Sequence, residues 1–354
     1  MFRSFTVKNF RCFRELTLAP LERINLIAGK NNTGKTASLE AIHLHSQPKD
    51  LELPFLVNER RGTNSERKYD GDICEWLFFD KSGASGLELQ SENEQGQVCT
   101  LRMLLVDAYM VEDQFPELGE RLRWAGASSG SVGYRWLILK SHTKDKETTS
   151  IIDLHGHGYS SVGSSPAPWN DPSIFIVSAG RSPKEDAIAF SDLEVANRQE
   201  EILPALRILE PRLQRLSIVL LAGQPVVHGH VGLGRLVPVQ FMGEGIRRLL
   251  SLLLAINKAT GGNVLIDEVE NGLHHSVMVQ VWQAIAEAAR RADVQVFATT
   301  HSYECIQAAH QAFAAGPGYD LRLFRLDRID SGIRVAVYNQ NTLNTSIDMS
   351  LEVR

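Results

Sequence analysis

Apolar and polar positions alternate through Phe5, Thr6, Val7 and Lys8, and two short apolar runs follow at 13–18 and 24–27. This pattern predicts three strands. A glycine-bounded loop comes next, and then Ala37, Ala41 and Leu44 recur at helical spacing, so 1–46 reads as strand, strand, strand, loop, helix. The texture changes over 47–181, where the runs 76–79, 99–106, 136–139 and 151–154 are separated by clusters rich in Gly, Ser, Asn and Asp. That spacing predicts an antiparallel lobe with long loops, and the Gly-, Ser- and Pro-rich stretch 156–168 predicts a mobile one. Residues 182–217 read as a helical insertion, with Ile202, Leu206, Leu209, Leu213 and Leu216 on one face and Pro204 and Pro211 as breaks. A hairpin over 218–241 precedes helix 245–258, strand 263–267, helix 275–291, strand 294–300 and helix 303–314. A second hairpin, 321–326 with 333–338, follows. Strands alternating with helices predict a mostly parallel sheet. The expected organisation is therefore an α/β core from 1–46 and 218–354, an antiparallel β lobe over 47–181 and the insertion 182–217.

Composition bounds this picture. The chain has 354 residues, 43% hydrophobic, 7% aromatic and 22% charged, which excludes global disorder and suits two packed lobes. Thirty-seven basic against 42 acidic residues leave a formal charge of −5, ill suited to a polycation that coats DNA, although a local basic patch is compatible with it. Four cysteines, Cys12, Cys74, Cys99 and Cys305, lack any CxxC pairing and read as reduced thiols. The opening MFRSFTVKNF lacks the apolar stretch of a signal peptide. The most apolar run, 249–256, is far shorter than the ~20 residues of a membrane span. The expectation is a soluble, cytoplasmic protein with no membrane partner.

Four local patterns carry chemistry. Gly29-Lys30-Asn31-Asn32-Thr33-Gly34-Lys35-Thr36 matches GxxxxGK[ST] in full, between a predicted strand and a predicted helix. Glycines there let successive N–H groups converge on phosphate oxygens, and the helix N-terminus adds partial positive charge. Lys35 would reach the β and γ phosphates and the Thr36 hydroxyl would be a ligand for Mg²⁺. The apolar strand 263–266 ends in Asp267 and Glu268, suited to a magnesium shell and to orienting an attacking water. Thr299-Thr300-His301-Ser302 puts an imidazole just past another apolar strand, where it could report the loss of a γ-phosphate. Met242-Gly243-Glu244-Gly245 opens a helix with two glycines, a second anion-binding surface or a simple strand-to-helix turn.

In this order, GKNNTGKT, MGEGIRRLL, VLIDEVENGLHH and VFATTHS, with the opening KNFRCF, resemble the ABC-type ATPases of the SMC, RecF and OLD group. The likeness is strongest to stand-alone AAA-family ATPases similar to the ATPase half of OLD proteins, and it covers about 1–46 and 236–315. It implies a P-loop NTPase fold of the ABC-head kind, with ATP and Mg²⁺ as cofactors. Gly29, Asn31, Asn32, Thr33, Gly34, Lys35 and Thr36 would bind nucleotide. Thr36 and Asp267 would hold the metal, Glu268 would be the base and His301 the γ-phosphate switch. Gly243, Glu244 and Gly245 would contact the nucleotide of an opposite subunit, implying a homodimer or higher homo-oligomer with 270–274 at its seam. Met242 stands where many relatives have Ser, and the family's glutamine loop has no assigned position.

The middle of the chain bears on the subtype. No heptad coil fills the gap between Lys35 and Asp267, unlike SMC proteins, and the lobe is longer than in transporter subunits. Only 53 residues follow His301, too few for the TOPRIM nuclease of OLD proteins. The expected function is Mg²⁺-dependent ATP hydrolysis that closes and opens a pair of heads. It would couple to DNA or to a separately encoded nuclease or toxin in DNA repair or antiviral defence. The alternatives are an ATP-gated scaffold with slow hydrolysis, a RecF-like repair ATPase and a transporter subunit. The pairs His155/His157 and His228/His230 read as loop or strand-surface histidines. Arg60, Arg61, Arg67 and Lys68, interleaved with Glu59 and Glu66, read as a solvated loop.

Overall fold

The computed structural model describes residues 1–62, 71–107, 135–154, 159–160, 167–330 and 332–354. In chain order the elements begin β1 (Phe2–Phe10), β2 (Phe13–Leu18), β3 (Ile24–Gly29), α1 (Lys35–Ser46), α2 (Leu53–Glu59) and α3 (Gly71–Cys74). Then come β4 (Leu87–Asn93), β5 (Val98–Asp107), β6 (Arg135–Thr143), β7 (Glu147–Asp153), β8 (Tyr159–Ser160), β9 (Ser173–Ile176), α4 (Pro183–Val195) and α5 (Leu203–Leu206). The C-terminal part holds β10 (Arg215–Leu221), β11 (Gln224–His230), β12 (Val237–Pro238), α6 (Glu244–Lys258), β13 (Asn263–Ile266), α7 (Met278–Arg291) and β14 (Gln295–Thr300). It closes with α8 (Tyr303–Ala314), β15 (Leu321–Ile329), β16 (Gly332–Tyr338) and α9 (Gln340–Asp348).

A six-stranded sheet in the order β16-β15-β3-β14-β13-β9 is parallel except for β16, which returns beside β15. Successive residues of its strands feed two different cores. Ile24, Leu26, Val264, Ile266, Val296 and Ala298 pack with the helices α6, α7 and α8. Ile27, Leu265 and Phe297 point the other way, toward α1 and the seven-stranded antiparallel sheet β2-β1-β4-β5-β6-β7-β8. Alternation on a strand covered on both faces leaves no polar side, which is why β3 is buried at every position.

Several assignments differ from the sequence reading. β1 and β2, expected in the ATPase core, belong to the antiparallel sheet, with β1 registered on β4 from Phe2↔Asn93 to Lys8↔Glu88. Their alternation of buried Phe5 and Val7 with more exposed Thr6 and Lys8 is that of a strand with one wet face. Conversely β9, expected in the lobe, is the edge of the parallel sheet and pairs with β13. A run as short as Ser-Ile-Phe-Ile carries no periodicity that separates parallel from antiparallel pairing. The 76–79 run forms 3₁₀ turns rather than a strand, and Leu53–Glu59, read as lobe, is helical. In the insertion, Leu213 lies outside the helices and Leu216 belongs to β10.

His228 is buried, with its Nδ1 2.9 Å from the Val226 carbonyl oxygen, not on the strand surface as expected. His155, His157, Arg67 and Lys68 lie outside the described residues, as does most of 156–168, where mobility was expected. Among the described residues, no helix is long and apolar enough to cross a membrane.

Candidate functional site: the cleft beside the phosphate loop

The loop between β3 and α1 adopts the conformation its glycines require. Gly29 has φ 148° and Gly34 φ 95°, and a Cβ on either would collide, on Gly29 with the Leu326 carbonyl oxygen at 2.6 Å and on Gly34 with the Phe13 ring at 2.5 Å. Only glycine fits both positions. Thr33 is buried and donates its hydroxyl to the Lys30 carbonyl at 2.9 Å, closing the turn. Lys35 opens α1 and bends back over the loop, donating Nζ to the carbonyls of Gly29 at 2.7 Å and Lys30 at 3.0 Å. Burial lowers its pKa, opposed by the charges of Asp267, Glu268 and Glu270. Asn31, Asn32, Gly34, Lys35 and Thr36 line a cleft of about 960 Å³, whereas Gly29 and Thr33 shape the loop behind it.

The acidic strand end stands against this loop. Thr36 donates its hydroxyl toward Asp267, 3.1 Å from both carboxylate oxygens, although 231 positions separate the two residues. Thr299, on the neighbouring strand β14, donates to the same carboxylate at 2.6 Å. Its oxygen also accepts the backbone N–H of Glu268 at 2.8 Å. Glu268 has φ 50°, unusual for a residue with a side chain, and its carboxylate accepts from Asn271 Nδ2 at 2.7 Å. Arg248, only 2% exposed, donates to the carbonyls of Asp267, Glu268 and Val177 from behind. Thus Lys35, Thr36, Asp267 and Glu268 converge on one cleft.

The facing wall was not foreseen. It comes from the β1–β2 turn, the end of α2, the 3₁₀ turns after α3 and β15, and it presents Arg11, Cys12, Arg61, Trp76, Lys81 and Arg328. Glu40, on α1 and 3% exposed, binds Arg11 at 3.1 Å and Arg61 at 2.7 Å. Burial works against the Arg61 charge, but the hydrogen bond and charge of Glu40, with a contribution from Asp267, hold its pKa above the ordinary value. Arg61 is exposed in a turn, as the mixed charges suggest, and is anchored beside the cleft by Glu40. Arg60, expected in the same loop, lies over the Phe175 ring, 5.0 Å from its centroid. On the same wall Lys81 Nζ sits 4.1 Å from the centre of the half-exposed Trp76 ring. Arg11 belongs to KNFRCF, and Glu40 is the lone acid of a helix buried from Ala37 to Ser46, where a carboxylate must be paired. Those two signals were available in the sequence.

Two predicted groups lie outside the cleft lining. His301 follows β14 with its side chain half exposed, Nδ1 3.3 Å from Glu270 and its backbone N–H donating to the same carboxylate. Gly243, Glu244 and Gly245 open α6, and Glu244 pairs with Arg247. A Cβ on Gly245 would stand 3.2 Å from the Gly272 carbonyl, so the glycine turn packs on the loop that follows Glu268. No glutamine occurs in 177–183, the segment leaving β9.

Two family profiles match this chain. One, described as an AAA ATPase domain, covers residues 1–110, and the other, an AAA domain described as putative AbiEii toxin of a type IV TA system, covers 136–306. An ATP/GTP phosphatase of Helicobacter pylori is 20% identical over 96% of this chain and 95% of its own length. The uncharacterized protein MJECL10 of Methanocaldococcus jannaschii is 48% identical over 50 residues, 14% of this chain and 23% of that protein. An Smc head, solved bound to the C-winged helix domain of ScpA, superposes with a TM-score of 0.51 at 12% identity, over 96% of this chain and 98% of that one. The two profiles and the phosphatase relative agree on an ATPase, and the superposition shows a fold like that of an Smc head.

Proposed function

We propose that this ATPase acts as an ABC-type head that binds MgATP in the cleft and closes on a second copy of itself. The phosphates would lie on the loop at 29–36, with Lys35 exchanging its bonds to the Gly29 and Lys30 carbonyls for phosphate oxygens. The base would lie toward Trp76 and Lys81.

The Thr36 hydroxyl and the Asp267 carboxylate are adjacent hard oxygen donors, a set that fits Mg²⁺, which takes few protein ligands beside phosphate and water. A bound magnesium would neutralise charge on the phosphates. Glu268 would hold the attacking water and take its proton as the new P–O bond forms and the β–γ bridging oxygen leaves with ADP. Asn271 and Thr299 hold Glu268 for that role. His301, tied to Glu270, would sense the γ-phosphate only after a shift from its present half-exposed position.

The observation that carries this reading is the meeting of Thr36, Asp267, Thr299 and Glu268 beside an intact phosphate loop. The second copy is supported by the glycine turn of α6, which lies outside the protein's own cleft. A toxin–antitoxin setting is supported by the description of the profile matching 136–306, whereas coupling to a separate nuclease or toxin in DNA repair or phage defence rests on the sequence resemblance alone. Steady-state ATP turnover, with and without DNA, tests the proposal. Lys35→Ala should abolish turnover, and turnover that survives it overturns the assignment. An ATP-gated scaffold with slow hydrolysis is the second reading, favoured by the position of His301 away from the cleft.

A further inference from the structure

Arg248 belongs to the second turn of α6, five positions after Gly243, and is among the largest fully enclosed side chains of the protein. A charge so placed costs several kcal/mol unless it is well bonded. Its guanidinium donates Nη1 to the Val177 carbonyl at 3.0 Å, and Nη2 to the Asp267 carbonyl at 2.9 Å and the Glu268 carbonyl at 3.2 Å. Those carbonyls follow the ends of β9 and β13, neighbouring parallel strands. Three carbonyls on one planar fork is a task a lysine cannot repeat.

Glu268 is consequently held at three points. Its N–H goes to Thr299, its carboxylate accepts from Asn271, and its carbonyl accepts from Arg248 at 3.2 Å as well as from the Asn271 backbone N–H at 3.1 Å. With φ at 50°, that peptide needs such support to stay where it is. Of the three partners, only Arg248 is carried by the helix that begins at the glycine turn. The same turn touches the loop beyond Glu268, where Gly245 approaches Gly272.

We infer that Arg248 is a positioning residue that couples the glycine end of α6 to the aim of the Glu268 carboxylate. The inference rests on the proposed roles of Glu268 as base and of 243–245 as contact to the nucleotide of a second copy. Nucleotide held by the second copy would press on the glycine turn, move α6 along its axis, and carry the Asp267 and Glu268 peptides with it. Each copy then cleaves its own ATP only when the other copy is loaded. Turnover should therefore rise cooperatively with ATP, with a Hill coefficient near two for two coupled sites.

The test is Arg248→Lys in the full chain, read by ATP affinity, kcat, Hill coefficient and thermal melting. The expected result is a cooperative melt and ATP affinity within about threefold of the parent, with kcat down roughly 10- to 30-fold. The Hill coefficient should fall to one. Wild-type kcat and cooperativity per folded molecule overturn the inference, as does loss of binding and turnover in proportion. Should the lysine variant fail to melt cooperatively, Arg248→Gln is measured in its place, and failure of both to fold also overturns it by assigning Arg248 to folding alone. Glu268→Gln separates the two levels. If that variant keeps normal turnover, the underlying reading fails, whereas if it is inactive and Arg248→Lys is normal, only the coupling role fails.

Discussion

The Thr36 hydroxyl lies 3.1 Å from both oxygens of Asp267, joining the phosphate loop to the end of β13. That contact defines the point where the proposed magnesium would sit. Thr36→Val keeps the shape and removes the donor. It should fold normally and bind nucleotide in the absence of magnesium about as the parent does. The gain in affinity and the turnover that magnesium brings should fall at least tenfold, measured by a magnesium titration of both. An unchanged titration would place the metal elsewhere.

Trp76 lines the cleft, half exposed, with Lys81 over its ring. Base stacking on an aromatic is worth about 1–3 kcal/mol. Trp76→Ala should therefore raise KM for ATP about 5- to 100-fold, leaving kcat within a few-fold because the phosphate end is untouched. Stacking reads no base edge, so KM for GTP should rise in parallel. A fall in kcat at unchanged KM would remove Trp76 from the base site.

Stability should depend on pH through two buried imidazoles. Burial pushes His43 down to about 3, helped by the nearby Arg60 charge, and pushes His45 down to about 4. The unfolded chain takes up these protons near pH 6.5, the folded chain only far lower, so stability rises with pH across that window. The contribution is fully present above about pH 6.5 and is lost as the pH falls toward 4 for His45 and 3 for His43. Urea unfolding at pH 8, 6.5 and 5 should give a small loss between the first two, about 0.4 kcal/mol per histidine, and a loss on the order of 2 kcal/mol per histidine by the third. His45→Phe should flatten part of that slope. Equal slopes in both proteins would show that His45 is not the titrating group.

Much of the site was legible along the chain because each part is local. The phosphate loop spans eight residues, the acidic pair ends a four-residue strand, and α6, α7 and α8 follow their apolar spacing closely. The facing wall was not legible because no single segment makes it. Arg61 sits among mixed charges that suggest solvent, and it is exposed; its tie to the buried Glu40, 21 positions earlier, is what the local sequence does not show. Arg248 was read as part of a helix opening, since carbonyl groups as hydrogen-bond partners leave no mark in sequence. The same limit hid β9, whose place beside β13 depends on pairing across ninety residues.

The central claim is that Glu268 takes the proton in ATP cleavage and that bound ATP draws two copies together. Glu268→Gln, purified with ATP and magnesium, tests both at once by light scattering after gel filtration and by phosphate release. The expected result is tight ATP binding, a stable two-copy species that dissolves with ADP, and turnover reduced about 10²- to 10⁴-fold, as for loss of a general base. Wild-type phosphate release by this variant, or a single-copy species at saturating ATP, would contradict it.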